Sequence, residues 1–391
     1  MWESVFPGNR RMKMKHLMKK IAALILALGL SLGALSGCVS VDGDRVALAI
    51  GDNHYSRAEA LMYFYYMQYE TEYNVYGMAE MMYGGLSNYW AYADKEGKQI
   101  NLSTCRQYAL QHMIQTKILC MEAEKDGITL SEDEELLLTR TTNRFMREYG
   151  QVVNSAEASK DDVNRFIREN MLANKEYLHI TEGIDTSYDE EQMKRKQVEG
   201  MTIITKKVND EDLPPEEQYD ILEYYLDELD RLFETGMKTD AIMKLYEDDK
   251  TVGVTTVGEA PIEKPEGYEE GKEPTDFYEL AWGLSTGEHA TLLTLNQKDG
   301  YTGYVARCIS DDDEQLKEEA IAKEMAARRV ALFNEEYGNL VKSYKKIHVY
   351  TEVVDDFQIS ETLYDGSDYD DVFGPIYDDT IINGSGSEIG N

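Results

Sequence analysis

Residues 46–64 read VALAIGDNHYSRAEALMYF, and this stretch decides how the fold begins. The apolar run Val46–Ile50 predicts a β-strand, and the GDN that follows it predicts a turn. Ser56 stands three residues before Glu59, which is the spacing of a helix-capping box. The stretch therefore predicts a strand, a turn and a helix in immediate succession.

More helix patterns occupy the chain up to about residue 195. From Thr104 to Lys125, apolar residues recur at spacings of three and four, with Ser103 as the expected N-cap and Gly127 as the C-cap. Lys117 falls on the same, largely apolar face. Two further capping boxes predict the next helices, namely Ser131 with Glu134 and Ser159 with Asp162.

The pattern changes near Gly200. The segments MTIITKKV, LPPEEQYDILEYYLDELDRLFETG, KTDAIMKLYEDD and TVGVTTVG predict strand, helix, helix and strand. A short helix and two more strands follow, and DGYTGYVARCIS at residues 299–310 is the closing strand. The order β-α-α-β-α-β-β over about 110 residues predicts an α+β domain. A helix of roughly 30 residues and a last strand, IHVYTEVV, come after it.

Composition narrows the class of protein. The chain has 391 residues and a formal charge of −34, which allows two or three domains and argues against nucleic acid as a partner. Apart from Cys38, which lies in the N-terminal segment described below, the chain has an odd number of cysteines, namely Cys105, Cys120 and Cys308. They are therefore expected to be small buried residues rather than a disulfide framework.

The first 37 residues have the pattern of an export signal. Six bases precede an uncharged run from Ile21 to Gly37, and Leu35-Ser36-Gly37-Cys38 resembles the lipobox of bacterial lipoproteins. The alternative is an uncleaved membrane anchor, because the run approaches the length that spans a bilayer. In the lipoprotein interpretation, Cys38 is lipidated and the mature chain has 34 bases (40 − 6) and 73 acids (74 − 1), a charge of −39.

Several segments together resemble the extracytoplasmic foldase lipoproteins of Gram-positive bacteria and the related SurA-like periplasmic chaperones with a parvulin insert. The resemblance rests on VALAIGDNHYSRAEALMYF, AEKDGITLSEDEE and SKDDVNRFIRENMLANK, and for the insert on GMTIITKK, LFETGMKTDAIMKLYEDD and FYELAWGLSTGEHATLLTLNQKDGYTGYVARCI. It implies an α+β protein, with a mostly helical chaperone domain split by a parvulin-like domain. The strands at Val46 and Val349 are then expected to pair.

The resemblance also implies a division of the chain. We expect a signal peptide at 1–37, a tether at 38–44, an N-terminal helical chaperone segment at 45–195, a parvulin-like domain at 196–312, a completing helix and strand at 313–357 and an acidic disordered tail at 358–391.

Parvulins rotate X-Pro peptide bonds, whose uncatalysed barrier is about 20 kcal/mol. The family's active network includes a histidine on the first strand and another on the last. In this chain those positions hold Thr202 and Thr302, and His289 lies elsewhere, on a turn or strand edge. The resemblance therefore implies a weak or inactive isomerase domain. An active peptidyl-prolyl isomerase is the alternative, since threonine hydroxyls can still donate hydrogen bonds.

The segment LMYFYYMQYETEYNVYGMAEMMYGGLSNYWAY is rich in tyrosine and methionine, which suit broad and adaptable contacts. Leu61, Phe64, Tyr65 and Met67 are expected in the core. The expected client-binding residues are Tyr76, Met78, Met81, Met82, Tyr83, Tyr89, Trp90 and Tyr92. We expect unfolded or newly secreted polypeptides as partners, together with the membrane through the lipid anchor at the outer face of the cell.

No metal or cofactor is expected, because the six histidines show no paired spacing and Cys-x-x-Cys is absent. A homodimer is left open. A third alternative is a surface lipoprotein that binds one specific partner, which a pull-down with a single stoichiometric protein would favour.

Overall fold

A computed structural model describes residues 45–207, 212–296, 300–344, 346–366 and 373. The expected signal peptide, Cys38 and the whole of the expected tether lie outside the described residues. The described residues form two compact units, one containing those up to Asp185 and from Met325, the other those in Thr186–Glu324. None of the helices in the described ranges has the length and apolar character needed to cross a bilayer.

The elements follow the expected succession with two differences: Asn53–Ser56 is a second strand before the first helix, and Thr351–Val354 is a short helix and not the end of the last strand. The N-terminal part contains β1 (Val46–Ile50), β2 (Asn53–Ser56), α1 (Arg57–Tyr83), α2 (Leu86–Ala91), α3 (Ile100–Lys125), α4 (Glu132–Glu148), α5 (Gly150–Ser155) and α6 (Lys160–Ile180). Next come α7 (Glu190–Met193), β3 (Arg195–Thr205), α8 (Pro215–Glu234), α9 (Thr239–Tyr246), β4 (Val252–Glu263), α10 (Phe277–Trp282), β5 (His289–Asn296) and β6 (Gly300–Ser310). The last are α11 (Glu314–Ser343), β7 (Ile347–Val349) and α12 (Thr351–Val354). The predicted α+β class is confirmed.

The first unit joins the two ends of the chain through a three-stranded sheet of order β2-β1-β7. Leu48 of β1 is opposite Val349 of β7 in an antiparallel register, so the predicted pairing is confirmed. Nearly 300 residues separate these two strands in sequence. The sheet of the first unit is therefore completed by a strand that follows the whole second unit in the chain.

The helices of the first unit begin where the sequence predicted, at three capping boxes headed by Ser56, Ser131 and Ser159. Lys117 is buried in the core at 3% exposure, where its Nζ lies 3.0 Å from Glu59 and 2.5 Å from Glu169. Two carboxylates therefore compensate a charge that the sequence placed on an apolar face.

The predicted N-cap of α3 is wrong. The helix begins at Ile100, its N-cap is Gln99, and the backbone N–H of Ser103 already donates to the Gln99 carbonyl. A helical turn is thus complete before Ser103. Gly127 follows the helix with φ +70°, a left-handed conformation that glycine adopts without steric cost.

The second unit has a four-stranded antiparallel sheet of order β4-β3-β6-β5, and its element order is the predicted β-α-α-β-α-β-β. One face packs on α8, with Met201, Ile203 and Val305 against Leu226. The other packs on α10. Buried Glu199 receives hydrogen bonds from Arg307, which ties β3 to β6.

The second unit extends beyond the expected limits of 196–312 at both ends. The ammonium of Lys317, on α11, lies 2.6 Å from the carboxylate of Glu190, on α7. The backbone N–H of Asp313 also donates to the Arg195 carbonyl at 3.5 Å. These contacts hold the first turns of α11 to the start of the second unit.

The expectation of a disordered tail from residue 358 is wrong for residues 358–366. Leu363 and Tyr364 are buried in the first unit, where their backbone N–H groups donate to Glu72. Phe373 is buried as well. Paired amides and buried side chains fix this segment despite its acidic composition.

Candidate functional site

Thr202 and Thr302 lie on one face of the four-stranded sheet, here called the threonine face. Thr202 on β3 is opposite Tyr304 on β6, and Thr302 precedes Tyr304 by two residues. Residues two apart on a strand share a face, so the structure brings both threonines to the side of Tyr304. Thr302 is 7% exposed and Thr202 is half-buried.

Helix α10 covers part of this face. Its buried Phe277 and Trp282 pack with Ala306 of β6, and Tyr304 is partly buried against the same cluster. A side chain at Gly200 would overlap the Phe277 ring and the Val305 carbonyl. Glycine at this position therefore lets an aromatic ring lie directly on β3, two residues along the strand from Thr202.

Cys308, near the end of β6, is the thiol of this face. It is fully buried, and burial raises the pKa of its thiol, although the neighbouring Lys196 opposes the shift. The Lys196 ammonium donates to the carbonyls of Trp282 and Leu284, both at 2.6 Å. Since a thiolate is the reactive form of cysteine, Cys308 acts as a packing residue.

His289 lies on the opposite side of the sheet. His289 is opposite Arg307 of β6, and Arg307 is an odd number of residues from Thr302, so its side chain is on the other face of the sheet. The Nδ1 of His289 lies 2.9 Å from Asp230 of α8. It is the one histidine that the sequence places in Thr186–Glu324. The second unit therefore brings no imidazole to the threonine face.

A second candidate site lies at the end of α1 and on the adjoining α2. It is here called the Tyr/Met surface and is formed by Tyr76, Met78, Met81, Met82, Tyr83, Tyr89 and Tyr92. Met81 and Met82 are 67% and 66% exposed, and Met78 and Tyr92 are also exposed. Tyr76, Tyr83 and Tyr89 are half-buried. Exposed methionines offer polarizable and flexible contacts to partners of variable shape.

A glycine pair shapes the Tyr/Met surface. Helix α1 ends at Gly84, which has φ +72° and donates its N–H to the Ala79 carbonyl, and α2 begins after Gly85. The Tyr83 ring then packs edge-on against Tyr89 at 5.4 Å and Tyr92 at 5.5 Å across the break. These tyrosine contacts fix the base on which the methionines are displayed.

Trp90 does not belong to this surface, so the sequence-based prediction for it is wrong. Its side chain is buried, and the indole Nε1–H donates to Glu72 at 2.8 Å. The buried residues of α2 are Leu86 and Trp90, which are four residues apart and share one helix face, while Tyr92, directly after the helix, is exposed. Trp90 is therefore not available as a client contact.

No protein-family model and no curated protein matched this chain. Among solved structures, it is similar to the SurA-like chaperones PEB4 and Cj1289 of Campylobacter jejuni (13% identity, 78% of this chain and 99% of the other, TM-score 0.26). It is also similar to peptidylprolyl isomerase PrsA from Bacillus cereus, with 15% identity over 73% of this chain and 97% of the other and a TM-score of 0.27. A third similar structure is foldase protein PrsA from Streptococcus pneumoniae, with 12% identity over 68% of this chain and 97% of the other and a TM-score of 0.24. Its structural neighbours are thus SurA-like chaperones and PrsA proteins.

Sequence reasoning missed the buried carboxylate of Glu72. One oxygen accepts from Gln68 at 2.7 Å and from Trp90, and the other accepts from the backbone N–H groups of Leu363 and Tyr364. Burial raises the pKa of Glu72, and these hydrogen bonds oppose the shift. Apolar residues within the acidic tail were the available indication that residues after 357 would fold back.

Proposed function

We propose that this chain is an exported, lipid-anchored chaperone or foldase that holds unfolded secreted polypeptides on the Tyr/Met surface. The observation that carries the proposal is the exposure of Met81 and Met82 beside Met78 and Tyr92. Four neighbouring exposed apolar side chains favour a role in contact with other chains. Chaperone and foldase are also the descriptions given to the structural neighbours.

The clients would be recognised by weak and adaptable contacts. Methionine side chains change rotamer at low cost, and tyrosines add area with a polar tip. The mature charge of −39, obtained from 34 bases and 73 acids, would favour cationic segments of unfolded chains. A broad range of secreted proteins, rather than one sequence, is the expected client class.

The second unit would act as a weak or inactive isomerase module. Its threonine face offers hydroxyl groups and an aromatic wall from Phe277, but Thr202 and Thr302 cannot exchange protons near neutral pH as histidines do. An active isomerase is the alternative function. The observation in its favour is that both threonines share one face with Tyr304.

Lipid anchoring at Cys38 rests on the sequence alone, on the Leu35-Ser36-Gly37-Cys38 motif after an uncharged run. In cells, the full chain should partition into the detergent phase of a Triton X-114 extract. The Cys38→Ser variant should move to the aqueous phase or accumulate unprocessed. Equal detergent partitioning and processing of both forms would contradict lipidation at this residue.

An aggregation assay tests the chaperone function. A denatured secreted protein is diluted into buffer and its light scattering is followed with increasing amounts of the purified chain. We expect clear suppression at equimolar chain, because exposed methionines intercept apolar segments of the client. Scattering equal to that with serum albumin at the same concentration would contradict the proposal.

A further inference from the structure

Residues Phe357–Gly366 lie along α1 without forming a helix or strand of their own. The Tyr364 ring is surrounded edge-on by three tyrosines of α1, with centroid distances of 5.8 Å to Tyr69, 5.4 Å to Tyr73 and 5.3 Å to Tyr76. Edge-to-face aromatic pairs stabilise a contact beyond the area that they bury. One aromatic side chain thus anchors the segment.

The backbone of the segment is held by side chains. Glu72 accepts the N–H groups of Leu363 at 2.6 Å and Tyr364 at 2.8 Å, and Gln68 donates to the Glu361 carbonyl at 2.8 Å. Recognition of main-chain groups does not depend on the sequence bound. The combination of backbone capture and an aromatic cage is suited to any extended peptide that carries an aromatic residue.

A surface pocket lies beside the segment. It has a volume of about 180 Å³ and lies between Gln358–Thr362 and the residues Ser87, Trp90 and Leu102. The pocket leaves room next to the segment for a client side chain.

We propose that the groove formed by Gln68, Tyr69, Glu72, Tyr73 and Tyr76 binds extended client segments with an aromatic side chain, and that Phe357–Gly366 occupies it in cis until a client displaces it. This inference rests on the proposed chaperone function and names the chemistry of its client. An occupant in the same chain competes at a high effective concentration. The apparent affinity for a client is therefore reduced to the fraction of molecules with an open groove.

The test measures binding of a fluorescein-labelled peptide FQISETLYDG, the sequence of residues 357–366, to the full chain by fluorescence anisotropy. Tyr364→Ala removes the cis anchor and leaves the groove intact, so it should bind the peptide at least tenfold more tightly than the wild type. Leu363→Pro removes one N–H from the cis segment and should also bind more tightly. Tyr224→Ala, which removes an exposed tyrosine of the second unit, should bind like the wild type.

Adding Tyr76→Ala to Tyr364→Ala should abolish the gain, because the cage is then lost. If neither Tyr364→Ala nor Leu363→Pro increases affinity, the segment is a permanent part of the core and the inference is wrong. If the affinity gain occurs but the wild type and Tyr364→Ala both fail to suppress aggregation, the groove stands and the chaperone function falls. If the wild type suppresses aggregation but neither Tyr364→Ala nor Leu363→Pro gains affinity for the peptide, the chaperone function stands and the groove is wrong.

Discussion

The threonine face and the Tyr/Met surface contain the two sets of residues predicted to carry function, and they differ in what they expose. On the threonine face, Thr302 is buried and Phe277 lies against β3, so packing fills the space. On the Tyr/Met surface, Met81 and Met82 are two-thirds exposed above a fixed tyrosine base. Exposed apolar side chains such as these methionines favour binding to other proteins, whereas a buried hydroxyl such as that of Thr302 is not accessible to a partner.

The difference also shows how each region is supported. The threonine face depends on a glycine that admits an aromatic ring, whereas the Tyr/Met surface depends on buried Trp90 and Glu72 beneath it. Substitutions in the supporting residues should therefore alter stability, and substitutions in the displayed residues should alter binding.

Trp90→Ala should have the largest effect. It empties a buried site and leaves Glu72 with one donor fewer, so the first unit should lose about 4 kcal/mol of unfolding free energy. Urea unfolding followed by circular dichroism measures the loss. Tyr92→Ala, an exposed aromatic of the same helix region, is the control and should cost less than about 1 kcal/mol. Equal losses would place Trp90 back on the exposed surface.

Gly200→Ala should be the next in size. The added methyl overlaps Phe277 and the Val305 carbonyl, which should cost the second unit about 3 kcal/mol. Gly253→Ala is the matched control on β4, because its added carbon would lie 3.8 Å from Ile204, an ordinary contact. Thermal unfolding of both variants compares them. A Gly200→Ala protein as stable as Gly253→Ala would mean that the ring does not close the threonine face.

Buried carboxylates extend the comparison to charge. Glu199 of the second unit is paired with Arg307, whereas Glu176 of the first unit lies near Asp126, and burial followed by that charge raises the pKa of Glu176 to about 7. Because the folded-state pKa exceeds the unfolded value, the folded state binds more protons between about pH 4.5 and 7. Stability of the first unit should therefore fall as pH rises through this window.

Glu176→Gln should remove this pH dependence and stabilise the first unit by about 2 kcal/mol at pH 8, after allowance for solvent screening. Unfolding free energies at pH 5 and pH 8 measure the effect. Glu182→Gln, at a neighbouring carboxylate that is 82% exposed, should leave the pH profile unchanged. A wild-type profile that stays flat or rises from pH 5 to 8 would contradict the raised pKa.

The smallest effect is expected for the double variant Thr202→Ala with Thr302→Ala in a proline-peptide isomerisation assay. Hydroxyls that do not transfer protons contribute little, so the rate should change less than twofold. The uncatalysed peptide and an authentic parvulin provide the lower and upper references. A tenfold fall from a measurable wild-type rate would establish an active isomerase.

Much of the fold followed from local patterns in the sequence. The three capping boxes lie within four residues of chain each, and the strand pairing of Val46–Ile50 with Ile347–Val349 followed from the order of the elements. Burial of Trp90 and folding back of Leu363 could not be predicted in this way. Both depend on Glu72, which is 18 residues from Trp90 and 291 residues from Leu363, and helical periodicity does not report partners outside a single helix.

The most direct test of the central claim compares two double variants in one aggregation assay, at equal concentration and after a check that both are folded. Met81→Ser with Met82→Ser changes the Tyr/Met surface, and Thr202→Ala with Thr302→Ala changes the threonine face. We predict that the methionine variant loses at least half of the wild-type suppression and that the threonine variant keeps it. Full suppression by the methionine variant together with loss in the threonine variant would contradict the account.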